Sequence, residues 1–397
     1  MYLPKINEFP KFSLKRLLST CFGDNVAVEQ KICILIDLPD LSLMKEHKFL
    51  ELSDFSVQKY AHNIFLKELI NGVSQSLSYS GNGFFAFKTT GGSNLDPEDA
   101  ATNFDGEVLS LNKDIYPEFD IILAITDYSL TAPLTASAKI HGFRGATLHG
   151  VNEIILNSGL SVDYNHISKQ SELFRCVLDG SDSFELDFEV FGAKSTLKID
   201  CLDQSAQKSH GICPSGTPDV ANLPAGEVYF VPTSASGSFP FRFSDGTLAK
   251  MEVDNGAIVN ASLIRGDQQL IDARNQQLIE DPATGIIGEL GFGTQLLPFS
   301  GKDIQDEKIL GTCHVATGRS DHLGGSLTPD LFNSRLNASH DDILYAPPKT
   351  PEINVSEVRM YKNNASISIL QDFQPTAFLL DHLSSEYPIE KFAVCVD

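Results

Sequence analysis

The sequence is short of basic residues: 30 Lys and Arg stand against 52 Asp and Glu among 397 residues, a formal charge of −22. Such a surface repels a phosphate backbone at long range, so no nucleic acid is expected as a partner. Long hydrophobic runs are missing as well. The most apolar stretches, such as Ile121-Ile122-Leu123-Ala124-Ile125, have the length of a buried strand and fall far short of the ~20 residues that span a bilayer. No membrane partner is expected. The opening residues MYLPKINEFPKFSLKRLLSTCFG place Pro4, Pro10 and scattered charges where a secretory leader needs an unbroken apolar core. The cysteines (Cys21, Cys33, Cys176, Cys201, Cys213, Cys313 and Cys395) include no C-x-x-C pair and are odd in number. Reduced thiols and a cytoplasmic location are the expectation, and the sequons at Asn260, Asn337, Asn354 and Asn364 then count as chance matches. There is no G-x-G-x-x-G loop, no G-x-S-x-G elbow, no internal repeat and no low-complexity tract.

Hydrophobic residues make up 42% of the chain and include 26 Phe, enough to bury ample apolar surface, and the acidity is spread along the sequence. A globular protein of about two domains follows. The apolar run Lys31–Asp37 predicts a strand, Gln58–Ser76 a helix, Gly83–Lys88 and Phe119–Ala124 two further strands, Ala132–Ile140 a helix and Gly145–Leu148 a short strand. This order reads as an open, largely parallel α/β sheet. The glycines of Gly81-x-Gly83 and Gly91-Gly92 are read as turns. From about residue 161 the texture changes. Alternation in Phe184–Phe191 and Thr196–Ile199, with a glycine between, predicts an antiparallel pair. The Ser-, Gly- and Pro-rich segment 205–224 marks a boundary, giving an N-terminal α/β domain over 1–215 and a β-rich α+β domain over 216–397. The second runs through Gly226–Val231, Leu248–Val253, Ile258–Leu263, Gly285–Gly293, Ile309–Thr317 and Ser339–Tyr345.

Polar residues in that second domain stand out against their surroundings. Glu227 opens an otherwise apolar strand, and Glu289 lies among glycines and large apolar residues, where an unpaired charge is costly to bury. A positive partner is therefore expected beside it. His314 sits mid-strand in Gly311–Gly318, and His340 precedes Asp342 by two places, which puts both on one strand face. Singly, each residue fits a hydrogen-bonded core. Together, three acids and two histidines on separate strands are the ligand types that converge on divalent metals.

The same residues carry a resemblance. N-L-P-x-G-E-V (222–228), G-E-L-G-x-G-T (288–294), G-T-x-H-x-A-x-G (311–318) with Gly324-Gly325 after it, and H-x-D (340–342) resemble, in order and interval, the aminopeptidase T family of two-metal leucyl-type aminopeptidases, the thermophilic metalloproteases. Gly145-Ala146-Thr147 and Gly159–Tyr164 leading to Ile167 are similar to that family's inter-lobe segment. The likeness spans residues 140 to 345 and hardly touches the last fifty. It implies Glu227, Glu289, His314, His340 and Asp342 as ligands of two divalent ions (Zn, Co or Mn), with Asp342 bridging and Glu289 in the catalytic machinery. It further implies a homodimer that takes short peptide or amide substrates and releases their N-terminal residues. Two divalent cations, three carboxylates and one hydroxide sum to neutrality. Where the family has a tyrosine, seven residues after its first histidine ligand, this chain has Asp321 followed by His322. Asp321 is thus a candidate ligand, general base or substrate contact, or else part of a solvated turn.

Two other functions compete. A ring-cleaving enzyme similar in fold, 2,5-dihydroxypyridine 5,6-dioxygenase, holds one iron with two histidines and a carboxylate, and the resemblance places a histidine near Glu289 there. Retention of Glu289 favours hydrolysis. A non-catalytic relative serving a biosynthetic pathway is the third reading. His141 and His149 are read as surface or core residues, and Cys313 as a thiol facing away from His314.

Overall fold

The computed structural model describes residues 3–23, 30–73 and 79–386. Cys395 and the end of the expected helix at 74–76 lie outside them. The described chain forms two compact units, one of Pro4–Ser168 with His210–Ala225, the other of Lys169–Ser209 with residues 226–386. Among the described residues the chain passes between the units after Leu3, Ser168, Ser209 and Ala225. Segment 205–224, read as a linker from its Ser, Gly and Pro content, holds one short strand of each unit, and three-residue strands leave little periodicity to detect.

The first unit is built on a seven-stranded sheet. Its parallel strands are β1 (Gln30–Leu38), β2 (Tyr79–Lys88), β5 (Ile121–Ala124), β6 (Arg144–Thr147) and β10 (Val220–Asn222), with the short β3 (Ala101–Thr102) and β4 (Val108–Leu109) antiparallel at one edge. The order is β10-β6-β5-β1-β2-β3-β4. Residues 32–36 are all buried, which is why β1 is a continuous apolar run and does not alternate. The expected helix after it starts at Ser56 and continues through wider turns to Val73. The helix Thr131–His141 has Pro133 in its first turn and ends at Gly142, whose φ of 86° is the left-handed geometry that glycine adopts without strain.

The second unit contains two antiparallel sheets. The larger runs β14-β13-β12-β8-β7-β18-β19-β20, comprising β7 (Ser183–Val190), β8 (Ala193–Asp200), β12 (Ser234–Arg242), β13 (Leu248–Asp254), β14 (Ala257–Arg265), β18 (Asn354–Lys362), β19 (Ala365–Gln371) and β20 (Gln374–Pro375). The smaller runs β17-β16-β15-β11-β9, comprising β9 (Gln207–Ser209), β11 (Glu227–Phe230), β15 (Ile287–Gly293), β16 (Cys313–Gly318) and β17 (His340–Tyr345). The mixed α/β sheet followed by a β-rich region matches the fold class expected from sequence. No helix among the described residues is long and apolar enough to cross a membrane.

Strand β12 carries Pro240 and was not expected. It pairs with β8 only over Ser234–Gly237, so at Pro240 one side of the strand is unpaired and the missing N–H removes no ladder bond there. The Pro240 carbonyl instead accepts the Tyr345 hydroxyl at 2.8 Å. Strand β18 pairs with β7 and extends the large sheet. One core fills the space between the sheets, with Phe184 on Phe230 and Phe292 at centroid distances of 5.2 and 5.5 Å and Phe188 on Tyr345 at 4.8 Å.

On the outer face of the large sheet, Arg359 joins Glu185 (2.9 Å), Asp187 (2.5 Å) and Glu357 (2.5 Å) across β7 and β18. The Tyr361 hydroxyl and Arg359 hold the Glu185 carboxyl below its ordinary range. For Asp187 burial pushes upward, but Arg359 outweighs it. Groups whose folded pKa is depressed contribute stability above the unfolded value and lose it as pH falls through the folded one. Arg359→Met is therefore expected to be less stable than wild type in urea at pH 7. That gap should close below pH ~4, where the carboxylates take up protons. A gap independent of pH would contradict this.

Candidate metal centre

The register of the small sheet places the polar residues found by sequence on one face. Glu227 pairs with Gly293, Gly291 with His314, and Glu289 with Ala316, which pairs in turn with Asp342. Paired residues of antiparallel strands share a face, as do residues two apart, so Glu227, Glu289, His314, His340 and Asp342 all project to the same side. Alternate residues Val228, Phe230, Leu290, Phe292, Cys313, Val315, Ile343 and Tyr345 project to the other side and enter the core. This is why each strand reads as a polar residue between large apolar ones. Cys313 faces away from His314, as expected.

Small residues make room on the polar face. A Cβ at Gly291 would lie 2.1 Å from Cε1 of His314, so the imidazole rests directly on the glycine. Gly291→Ala is expected to displace that ring and weaken ion binding at its group by at least tenfold while far-ultraviolet circular dichroism stays native. Unchanged affinity in a metal titration would refute this account of Gly291.

Ligand atoms converge in two groups, Glu227 with Glu289 and His314, and Glu289 with His340 and Asp342, each with its atoms within 4.8 Å of one another. Glu289 belongs to both. Its Oε1 is 3.5 Å from His314 Nε2 and its Oε2 is 3.0 Å from His340 Nε2. Asp342 lies 3.3 Å from His340 Nε2, and Glu227 3.8 Å from His314 Nε2. The shared carboxylate is therefore Glu289, whereas the resemblance gave the bridging position to Asp342. The register explains it: Glu289 is on the central strand β15, flanked by β11 and β16, while Asp342 is on the edge strand.

His340 is oriented from behind. Its Nδ1 donates to the Arg319 carbonyl at 2.6 Å, which leaves Nε2 as the atom turned to Glu289 and Asp342. A fixed tautomer of this kind is how imidazole is prepared for a metal. Electrostatics point the same way. Burial pulls the His314 imidazole down, but Glu289, Glu307 and Asp342 outweigh it and raise it to about 9. Burial likewise opposes, and Asp342 and Glu289 override, for His340. The imidazole nitrogens and carboxylate oxygens gathered here are a donor set that suits divalent ions.

The partners the structure places beside Glu289 are these two imidazoles. An actual lysine, missed by sequence, sits one residue further round. Lys308 is wholly buried and donates to Glu227 at 2.7 Å and to Glu307 at 2.6 Å. Burial opposes its charge, but the two carboxylates hold its pKa up. Nothing in Asp306-Glu307-Lys308 distinguishes it from a solvated surface pair except the apolar Ile309-Leu310 that follows.

Asp321 stands outside both ligand groups. Arg319 grips it with a fork, Nε at 2.7 Å and Nη2 at 3.2 Å, so its carboxylate is engaged. Burial pushes that carboxyl up, and His322 and Arg319 hold it well below its ordinary range. His322, given no role of its own from the sequence, stacks edge-on against His340 at 4.9 Å. His141 and His149 belong to the first unit and join neither group.

No family model and no curated protein matches the chain. Solved structures do. A 2,5-dihydroxypyridine dioxygenase from Pseudomonas putida KT2440 aligns over 88% of this chain and 92% of its own, with a TM-score of 0.55 and 12% identity. Wild-type AmpT from Thermus thermophilus, an aminopeptidase T, aligns over 91% and 98%, with a TM-score of 0.53 and 12% identity. At that identity the likeness is one of fold. The chain has the fold found in both proteins.

Proposed function

We propose that the chain is a metal-dependent, aminopeptidase-like hydrolase that removes N-terminal residues from short peptides as a homodimer. The observation that carries this is the position of Glu289. Its two carboxylate oxygens face different imidazoles, and each imidazole has a further carboxylate of its own. A lone ion bound by two histidines and one carboxylate needs the three on one side of a single point. A carboxylate turned two ways suits two neighbouring ions, and this favours hydrolysis over the one-iron dioxygenase reading and over a non-catalytic role.

Glu227, Glu289 and His314 would hold one ion, and Glu289, His340 and Asp342 the other. When bound, the pair supplies Lewis acidity, lowering the pKa of a water and polarising the scissile carbonyl. The protein's own part is orientation. Lys308 pins Glu227, the Arg319 carbonyl sets His340, and Asp321 fixes the Arg319 side chain, so its role is positioning. Chelation is expected to abolish hydrolysis of a leucyl anilide, and Zn, Co or Mn to restore it. Undiminished hydrolysis after exhaustive chelation would exclude this function.

A further inference from the structure

We infer that the two ligand groups are unequal: Glu289, His340 and Asp342 fill first, and Glu227, Glu289 and His314 form a weaker second site whose occupancy sets turnover. The link to turnover rests on the two-ion hydrolase reading. The inequality comes from how far each imidazole and each carboxylate is prepared to receive an ion.

His340 is held from behind. Its Nδ1 donates to the Arg319 carbonyl at 2.6 Å, so Nε2 is presented to Glu289 and Asp342. His314 has no such support. Its side chain is 1% exposed, and its Nδ1 is buried without a hydrogen-bond partner among the described residues. An ion on Nε2 leaves the ring proton on Nδ1, where the N–H stays unpaired in the interior. Contact with Gly291 sets where the ring lies but supplies no acceptor for that N–H. Hydrogen bonds of the kind His340 makes are worth ~10–100-fold in metal affinity.

The carboxylates differ in the same sense. Glu227 Oε1 is taken by Lys308 at 2.7 Å, which leaves Oε2, 3.8 Å from His314 Nε2, as the atom for an ion. Lys308 is itself balanced by Glu307 at 2.6 Å, so the handicap of this group is an engaged oxygen and not a surplus charge. Asp342 Oδ1 lies 3.3 Å from His340 Nε2, and no Lys or Arg among the described residues forms an ion pair with this carboxylate. Its side chain is 30% exposed, against at most 8% for the other four ligands, so its group is the one open to solvent. The second ion also meets the charge of the first across Glu289, which spreads the two affinities further. Which group leads is decided by the donors. Turnover then follows the second step, and the enzyme answers to the supply of free divalent metal.

Chelator-stripped protein titrated with Zn against a chromophoric chelator is expected to show two steps at least tenfold apart. Glu227→Gln should remove the weaker step and leave the tighter one within threefold of wild type, whereas Asp342→Asn should weaken the tighter one. Equal steps, or loss of the tighter step in Glu227→Gln, overturn the inference. If a variant does not fold, crystals of the unaltered protein grown with one equivalent of Zn decide: anomalous density is expected among Glu289, His340 and Asp342, and density between Glu227 and His314 overturns the order. None of these readouts needs turnover. Ordered filling with no hydrolysis of leucyl anilide at either occupancy keeps the inequality and sinks the hydrolase reading. Hydrolysis with equal steps does the reverse, and hydrolysis that saturates at the first equivalent overturns the link between the second ion and turnover.

Discussion

Glu289→Gln is expected to lower metal-dependent turnover by on the order of a thousandfold, because several kcal/mol of charge stabilisation at the reacting carbonyl depend on ions held there, and each ~1.4 kcal/mol is tenfold in rate. The amide keeps the volume and one oxygen of the side chain but removes the charge shared by the two groups and turns an NH2 to one of them, so both are weakened at once. Replacing Asp342 removes one ligand from one group, and the loss should be smaller. Circular dichroism should not distinguish Glu289→Gln from wild type, since Leu290 and Phe292 on the opposite face still fill the core. Leucyl anilide kinetics with saturating metal give the comparison; a variant within tenfold of wild type would contradict the role assigned to Glu289.

Lys308→Met is expected to cost stability rather than chemistry alone. Methionine matches the length of the stem but leaves Glu227 and Glu307 buried and uncompensated, and breaking a buried ion pair from one side costs ~3–5 kcal/mol. Glu307 shows how finely the arrangement is balanced: burial, opposed by Lys308 and reinforced by Asp342 and Glu227, pushes its carboxyl up to about 8. Urea unfolding of the ion-free protein measures the loss. The double variant Lys308→Met with Glu307→Gln should recover part of it, because one of the stranded charges is gone. No recovery would mean that Lys308 acts through packing.

The parallel sheet was legible because β1 and β5 are apolar runs bounded by polar residues and turns, and the hairpin β7–β8 because its alternation is clean and its turn is Phe191-Gly192. Both turn residues have positive φ, 51° and 82°, as a two-residue hairpin requires. Strand β12 was hidden by Pro240 and its serines, and the helix Gln268–Glu280 by a surface so polar that only Ile271 and Leu278 are buried. At the candidate site, the five convergent residues were legible because a polar residue every second place interrupts an apolar strand. Lys308 and His322 were not. Neither lies on a strand, and what brings them to the cluster is the path of the loops after β15 and β16, which no local pattern encodes.

Ion content tests the central claim most directly. Elemental analysis of the protein equilibrated with Zn, Co or Mn and then desalted should give about two ions per chain, falling to one or none in Glu289→Gln. One iron per chain, or no ion in wild type under conditions where the fold is intact, would contradict a centre organised around a shared Glu289.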